Sequence, residues 1–314
     1  MTSRCDRGNT VNSGGLPRQE HGGPQRGRRA GVVGGRGFLG ARIAQGLRDD
    51  GWLVEVFSLE QPLLLDGGVV TPEAHDLDLV IWAATRNTPA IAAERPELIQ
   101  QEIDEVAASL RALSVAAPRA QVVFLSSGGT VYGGGSTSHR EGDELLPESA
   151  YGRLKVELEK VVLTLCARAA ILRVANAYGP GQGAQNAQGV LGYWLHAIRA
   201  GEPITVYGNP ASARDYIYID DITSAVVAVA RRDTAAAPQR IYNVGSGVAT
   251  SLEELLTLVK QVARVPIDIV YQAGRGFDLS SSKLDSSLIE RELGWRAQTP
   301  LHVGVARMWE WTNI

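Results

Sequence analysis

Cysteine is nearly absent from this 314-residue chain: Cys5 and Cys166 are far apart and form no CxxC pair. That excludes a disulfide framework and a structural zinc site, no metal is expected, and a reducing cytoplasm is the expected location. An apolar run of the ~20 residues needed to span a bilayer is also missing, so no membrane partner is expected. Excess charge of either sign is lacking too. The 31 basic and 34 acidic residues leave a net charge of −3, which removes the bulk electrostatic case for a nucleic-acid partner. What the chain does have is length, a hydrophobic share of 44% and 35 glycines. Roughly three quarters of the unfolded surface can be buried at this size, enough for one large or two ordinary domains.

Residues 1–29 are polar and nearly free of large apolar side chains, and they read as a disordered basic tail. Arg4, Arg7, Arg18, Arg26, Arg28 and Arg29 outnumber Asp6 and Glu20, a local charge of +4 that leaves −7 on the remainder. An export-signal reading of Arg28-Arg29 fails because Gly34, Gly35, Arg36 and Gly37 interrupt the apolar stretch at once.

From Ala30 onward, short apolar runs alternate with segments of helical periodicity. Ala30–Val33, Leu53–Phe57, Leu79–Ala83, Val122–Leu125 and Ala170–Val174 read as buried strands, the pattern of a parallel sheet with crossover helices. Beyond about Tyr178 the regularity gives way to loops. There follow strands at Asp215–Ile219 and Arg240–Val244 and helices near Ser251–Val262 and Leu301–Trp311. The expected fold is α/β: a Rossmann doubly wound parallel sheet with a smaller carboxyl-terminal substrate-binding domain. Residues 30–177 with about 214–244 would form the dinucleotide-binding domain, and 178–213 with 245–314 the smaller one.

Gly34-Gly35-Arg36-Gly37-Phe38-Leu39-Gly40 follows the first strand and opens a helix. Its glycines allow a tight turn, close approach of backbone amides to a pyrophosphate, and close helix–strand packing. A carboxylate commonly ends the second strand of such units and accepts the ribose hydroxyls of NAD. Here Ser58 stands there. A serine and Arg36 can both bind a 2′-phosphate, so NADP(H) is favoured. NAD stays possible, with Glu60 or a backbone group serving the ribose and Arg36 a solvated loop charge.

Tyr151 and Lys155, four apart on one helical face, pair a phenol with an ammonium. A phenol of reference pKa ~10 needs phenolate stabilisation of about 4 kcal/mol to act as a base near neutrality, which a neighbouring Lys⁺ helps to supply. The pair follows Ser126-Ser127-Gly128-Gly129-Thr130-Val131-Tyr132-Gly133 in the order strand, loop, helix. Together with Ala83-Ala84, Asn176-Ala177-Tyr178-Gly179-Pro180-Gly181, Val206-Tyr207-Gly208, Arg214–Asp221, Asn243–Gly247 and Leu293-Gly294-Trp295, these segments make the chain resemble the extended short-chain dehydrogenase/reductase family of nucleotide-sugar epimerases, dehydratases and reductases. The likeness runs from about Ala30 to Trp311.

The resemblance implies that Tyr151 is the acid/base at a sugar carbinol or carbonyl, that Lys155 holds the nicotinamide ribose, and that Ala83 and Ala84 lie by the cofactor. It implies that Arg214 and Arg275 clamp the diphosphate, that Asn176 anchors the phosphates, and that Val206 and Tyr207 wall the nucleobase. Without it, Arg214 reads as a surface ion pair with Asp220 or Asp221. A homodimer using the helix that carries Tyr151 is implied as well. Two departures stand out. The family's catalytic Ser or Thr falls at Gly128, leaving Ser127 and Thr130 jointly, or Tyr151 with a backbone group or water, to polarise the substrate oxygen, and the Asn often found on the helix after the third strand is missing around Glu102-Ile103-Asp104. Gly129 and Thr130 replace the acidic pair of dehydratases. The expected activity is reduction of the C4 ketone of a dTDP- or UDP-linked 4-keto-6-deoxyhexose, as in deoxysugar biosynthesis. The alternatives are an NAD-dependent 4-epimerase of the UDP-glucose type and a non-catalytic dinucleotide sensor.

Overall fold

The structure, a computed structural model, describes Met1 and residues 27–135, 138–183, 189–232, 234, 239–274 and 281–312. The expected tail up to Arg26 lies outside the described residues, as does Arg275. In chain order the described residues form β1 (Arg29–Val33), α1 (Phe38–Asp49), β2 (Leu53–Phe57), β3 (Leu79–Trp82), α2 (Pro89–Glu94), α3 (Glu97–Ala116), β4 (Gln121–Ser127), α4 (Gly128–Val131), β5 (Ser138–His139), α5 (Ala150–Leu165), β6 (Ala169–Val174) and β7 (Asn176–Tyr178). Then come α6 (Val190–Ala200), β8 (Ile204–Tyr207), β9 (Ala213–Tyr218), α7 (Ile219–Ala230), β10 (Gln239–Val244), β11 (Ala249–Ser251), α8 (Leu252–Ala263), β12 (Ile269–Gln272), β13 (Ser281–Leu284), α9 (Ser287–Leu293) and α10 (Leu301–Trp311).

Six strands form one parallel sheet in the order β10-β6-β4-β3-β1-β2. Such a sheet is covered on both faces, which is why its strands read as continuous apolar runs. On one face α1 and α7 contribute Ile43, Leu47, Ile222 and Val226 to the core. On the other, α3 and α5 contribute Val106, Leu110, Leu158 and Val162. The chain reverses direction across the sheet between β1 and β3, so their carboxyl ends open a crevice.

The first strand begins one residue before the expected boundary, because Arg29 is tied down. Its backbone N–H donates to Asp78 at 2.8 Å, and its guanidinium donates to the carbonyls of His75 and Glu73 at 2.8 and 3.1 Å. The strand expected at Asp215–Ile219 runs instead over Ala213–Tyr218. Ile219 already opens α7, whose first turn carries Asp220 and Asp221 where negative charge suits a helix amino end. That strand also stands outside the six-stranded sheet: β9 pairs with β7, β11 and β13. Trp194, Leu195, Ile204, Val206, Leu255 and Met308 build a third core beneath it.

Candidate active site

A cleft of about 2100 Å³ lies over the carboxyl ends of β1, β3 and β4 and reaches the smaller sheets. Gly34 turns the chain with φ +80°, and a Cβ there would lie 2.8 Å from the backbone N and Cα of Ala84. A Cβ on Gly40 would come within 2.2 Å of the Gly34 carbonyl oxygen, so this glycine lets α1 pack on the turn. Gly35 is wedged against Val56 beneath the surface, whereas Gly34, Arg36, Gly37, Phe38, Leu39, Ala83 and Ala84 all line the cleft. Gly37 caps α1 without a side-chain hydrogen bond, and no acidic residue stands in the first turn. The free amides and positive end of the helix therefore face the cleft, an arrangement that fits the pyrophosphate of a dinucleotide.

At the end of β2, Ser58 Oγ donates to Glu60 Oε2 at 2.7 Å, and Arg36 donates to the same carboxylate at 3.0 Å and to Gln61 at 3.2 Å. Ser58 and these hydrogen bonds, led by the one from Ser58, hold the Glu60 carboxyl below the usual carboxylate range. Arg36 is thus a paired charge, and Glu60 stands beside the cleft as an acceptor.

Ser149 caps α5, accepting from the Gly152 amide at 3.0 Å, and this places Tyr151 in the first turn and Lys155 one turn further along. Both line the cleft with Ser127 and Thr130, so the structure brings the four expected residues together. Lys155 is 3% exposed, its ammonium 5.2 Å from the Phe124 ring centre and 5.5 Å from that of Tyr151. Burial pulls the Lys155 pKa down to about 8, against the opposing charges of Glu102 and Glu159. Burial, with Glu102 adding to it, pushes the Tyr151 phenol well above its ordinary value. Thr130 Oγ1 donates to the Ser127 carbonyl at 3.3 Å. Gly128 faces away from the cleft: a Cβ there would lie 2.6 Å from Leu284 Cδ1 and 2.8 Å from the Arg173 carbonyl oxygen.

Two buried carboxylates border this site, and sequence reasoning gave neither a role. Glu159 binds Arg173 through contacts of 2.7–3.2 Å and accepts from Ser126 Oγ at 2.5 Å. Glu102, 4% exposed, stands where the family's Asn was sought and lines the cleft. Its signal was a lone acid on the apolar stripe of α3, flanked by Val106 and Leu110. Gln182, 7% exposed, was missed as well; it lines the cleft and donates to the Ala177 carbonyl at 3.0 Å.

On the opposite wall, Asn176, Tyr207 and Arg214 line the cleft. Asn176 donates to the Asp215 carbonyl at 3.1 Å and Arg214 to the Ala213 carbonyl at 2.9 Å. Asp220 and Asp221, the two acids weighed as surface partners for Arg214, are engaged elsewhere: Asp220 binds Arg42 at 2.6 Å, and Asp221 accepts from the Gln298 and Thr299 amides. Val206 is a correction. It is 2% exposed in the third core, because alternation along β8 turns Ile204 and Val206 inward and Thr205 and Tyr207 toward the cleft.

Fold and site together define a doubly wound α/β protein with a glycine-cradled cleft and a tyrosine–lysine pair. The chain belongs to the NAD dependent epimerase/dehydratase family, whose model matches residues 30–245. It is 33% identical over 192 residues to a dTDP-4-dehydro-6-deoxyglucose reductase of Escherichia coli and 34% identical over 196 residues to a UDP-glucose 4-epimerase of Mycolicibacterium smegmatis. Each match covers 60% of this chain and 60% of the relative's length. Among solved structures, the UDP-glucose 4-epimerase of Thermotoga maritima with UDP-glucose superposes with a TM-score of 0.78 at 24% identity, covering 91% of this chain and 98% of that one. The Thermus thermophilus UDP-glucose 4-epimerase complex with NAD gives 0.77 at 23%, covering 91% and 99%. These likenesses concern the fold. No helix among the described residues is long and apolar enough to cross a membrane.

Proposed function

We propose that the protein is an NADP(H)-dependent nucleotide-sugar oxidoreductase that reduces the C4 ketone of an NDP-4-keto-6-deoxyhexose. The observation carrying this reading is the convergence of Tyr151, Lys155, Ser127 and Thr130 on the cleft that also contains the Gly34–Leu39 turn. Its volume of about 2100 Å³ exceeds the roughly 300–1,000 Å³ of a single small-molecule site, leaving room for a dinucleotide and a sugar nucleotide together. The likeness to the Escherichia coli reductase supports the choice of reaction.

The turn of Gly34 and Gly37 with the amino end of α1 would hold the pyrophosphate, and Ala83 and Ala84 would flank the cofactor. When bound, the dinucleotide supplies the hydride. Tyr151, whose burial keeps the phenol protonated, gives its proton to the ketone oxygen as this becomes a carbinol. Lys155, as an ammonium, stabilises the phenolate left behind. Thr130 and Ser127 orient the carbonyl oxygen. Arg214, whose planar fork suits two oxygens at once, takes the diphosphate, with Asn176 beside it and Tyr207 against the base.

One observation favours a second reading. Glu60 stands at the ribose end of the cleft and can accept ribose hydroxyls, as an NAD-dependent 4-epimerase would require. Incubation of the protein with NADPH and dTDP-4-keto-6-deoxyglucose separates the two. Oxidation of NADPH supports the reductase; no oxidation, with NAD⁺ released on denaturation and UDP-glucose interconverted with its C4 epimer, replaces it with the epimerase. Tyr151→Phe should abolish turnover while cofactor still binds, whereas a sensor would keep its function.

A further inference from the structure

The carboxylate of Glu102 has an unusual set of partners. Oε1 accepts from Thr85 Oγ1 at 2.8 Å, while Oε2 accepts from the backbone N–H groups of Arg86 and Asn87 at 3.2 and 3.0 Å and from Asn87 Nδ2 at 2.7 Å. Every one of these donors is neutral. The Arg86 guanidinium turns instead to Glu105, 3.0 Å away. The carboxylate is thus held in place without its charge being cancelled, on the buried stripe of α3 whose Val106 and Leu110 share a core with Leu154 and Leu158 of α5, and it lines the same cleft as the buried Lys155 and Tyr151. Glu159, the other acid whose field reaches Lys155, is neutralised by Arg173, and both side chains of that pair are 4% exposed.

We propose that Glu102 is the counter-charge of the active-site lysine, a positioning residue that keeps Lys155 an ammonium and Tyr151 a phenol. This rests on the proposed oxidoreductase reading. Its physical content is a sign: a negative charge at Glu102 attracts the Lys155 ammonium and repels a Tyr151 phenolate, so both effects favour the pair in the form that donates a proton to a ketone. Among the described residues, the charged groups whose fields reach the pair are Glu102 from α3 and Glu159 from α5, with Arg173 from β6 bound to the latter. Glu102 also shapes the Thr85–Asn87 loop on the cleft wall, a role that does not need the charge.

Glu102→Gln separates the two roles, since an amide oxygen can take the three N–H donors while its NH₂ faces Thr85 Oγ1. The chain has four lysines, so the ¹³Cε signals of lysine-labelled protein can be followed through a pH titration, with Lys155→Met assigning the relevant one. In the free wild-type protein Lys155 should titrate near pH 8. In Glu102→Gln its midpoint should fall by about one unit or more, and the alkaline loss of ketone reduction should move down with it. Glu102→Asn provides a second neutral variant should the first fold poorly, and Glu102→Asp should stay close to wild type because it keeps the charge. An unchanged Lys155 midpoint in the neutral variants, or an equal shift in Glu102→Asp, overturns the proposal. The titration needs neither cofactor nor sugar. A wild-type protein that reduces no nucleotide sugar yet shows the shift would refute the oxidoreductase reading and leave Glu102 as the lysine's counter-charge.

Discussion

Serine placed at position 128 tests how the loop after β4 is built. The resemblance puts the family's hydroxyl at this position, and restoring it would improve turnover if the side chain reached the substrate. The backbone of Gly128 is not in the left-handed region, so a side chain meets no conformational barrier there. The obstacle is space. Its Cβ would lie 2.6 Å from Leu284 Cδ1, 2.8 Å from the Arg173 carbonyl oxygen and 3.1 Å from the Arg173 carbonyl carbon. The carbonyl belongs to a central strand of the large sheet and cannot retreat, and Leu284 is only 1% exposed. Overpacking of this kind costs about 1–3 kcal/mol, a fall of about 2–12 °C in melting temperature at 2–4 °C per kcal/mol. Gly128→Ser should therefore melt lower and reduce ketone no faster than wild type. Leu284→Val removes the offending Cδ1, so the double variant should lose less stability than the two single changes together, by about 0.5 kcal/mol or more. A serine variant as stable as wild type with faster turnover would refute the packing and displace Thr130 and Ser127 as the polarising hydroxyls.

At the ribose end, Glu60→Gln removes the charge that occupies Arg36 and should raise the ratio of kcat/KM for NADPH over NADH; an unchanged ratio would mean Arg36 takes no part in cofactor choice. Arg173→Met leaves the Glu159 carboxylate buried without its guanidinium and the Tyr132 hydroxyl without its 2.8 Å donor. The loss should be about 3–5 kcal/mol in urea unfolding, and a loss below about 1 kcal/mol would contradict the burial of that pair. Burial pulls the Lys155 pKa down to about 8 from its ordinary 10.5, so between these values the unfolded chain binds more protons at this group and its contribution to stability rises with pH. The buried Cys166 thiol and the buried phenols act with the opposite sign toward the upper end of the window, so the quantity to follow is the stability difference between wild type and Lys155→Met, which should move in favour of wild type from pH 8 to 10.5; a difference constant with pH would contradict the burial of Lys155.

Much of the fold was legible in the sequence because its signals are local. The five expected strands of the sheet appear within a few residues of their observed ends, since strands buried on both faces must be apolar along their whole length. Arg240–Val244 also appears, now seen as the sheet's edge strand. The short strands β5, β7, β8, β11, β12 and β13 were not legible: each holds two to four residues, too few for a periodicity to emerge. Val206 was placed on the wrong side for a related reason, since a four-residue strand does not reveal which of its faces is inward.

In the site the division is similar. Spacing along the chain was enough to assign the glycine turn and the pairing of Tyr151 with Lys155, because turn geometry and the helical period act over a few residues. Only the tertiary structure decided which way Gly128 faces, that Glu60 engages Arg36, and that Glu102 is a buried acid on the wall of the cleft that Lys155 also lines. Each of these depends on what a distant part of the chain brings alongside: Leu284 and the Arg173 carbonyl over Gly128, the end of β2 beside the first glycine turn, α3 packed on α5. A charge or a volume acts through space, and its consequence is set by which neighbours cancel or obstruct it rather than by its place in the sequence.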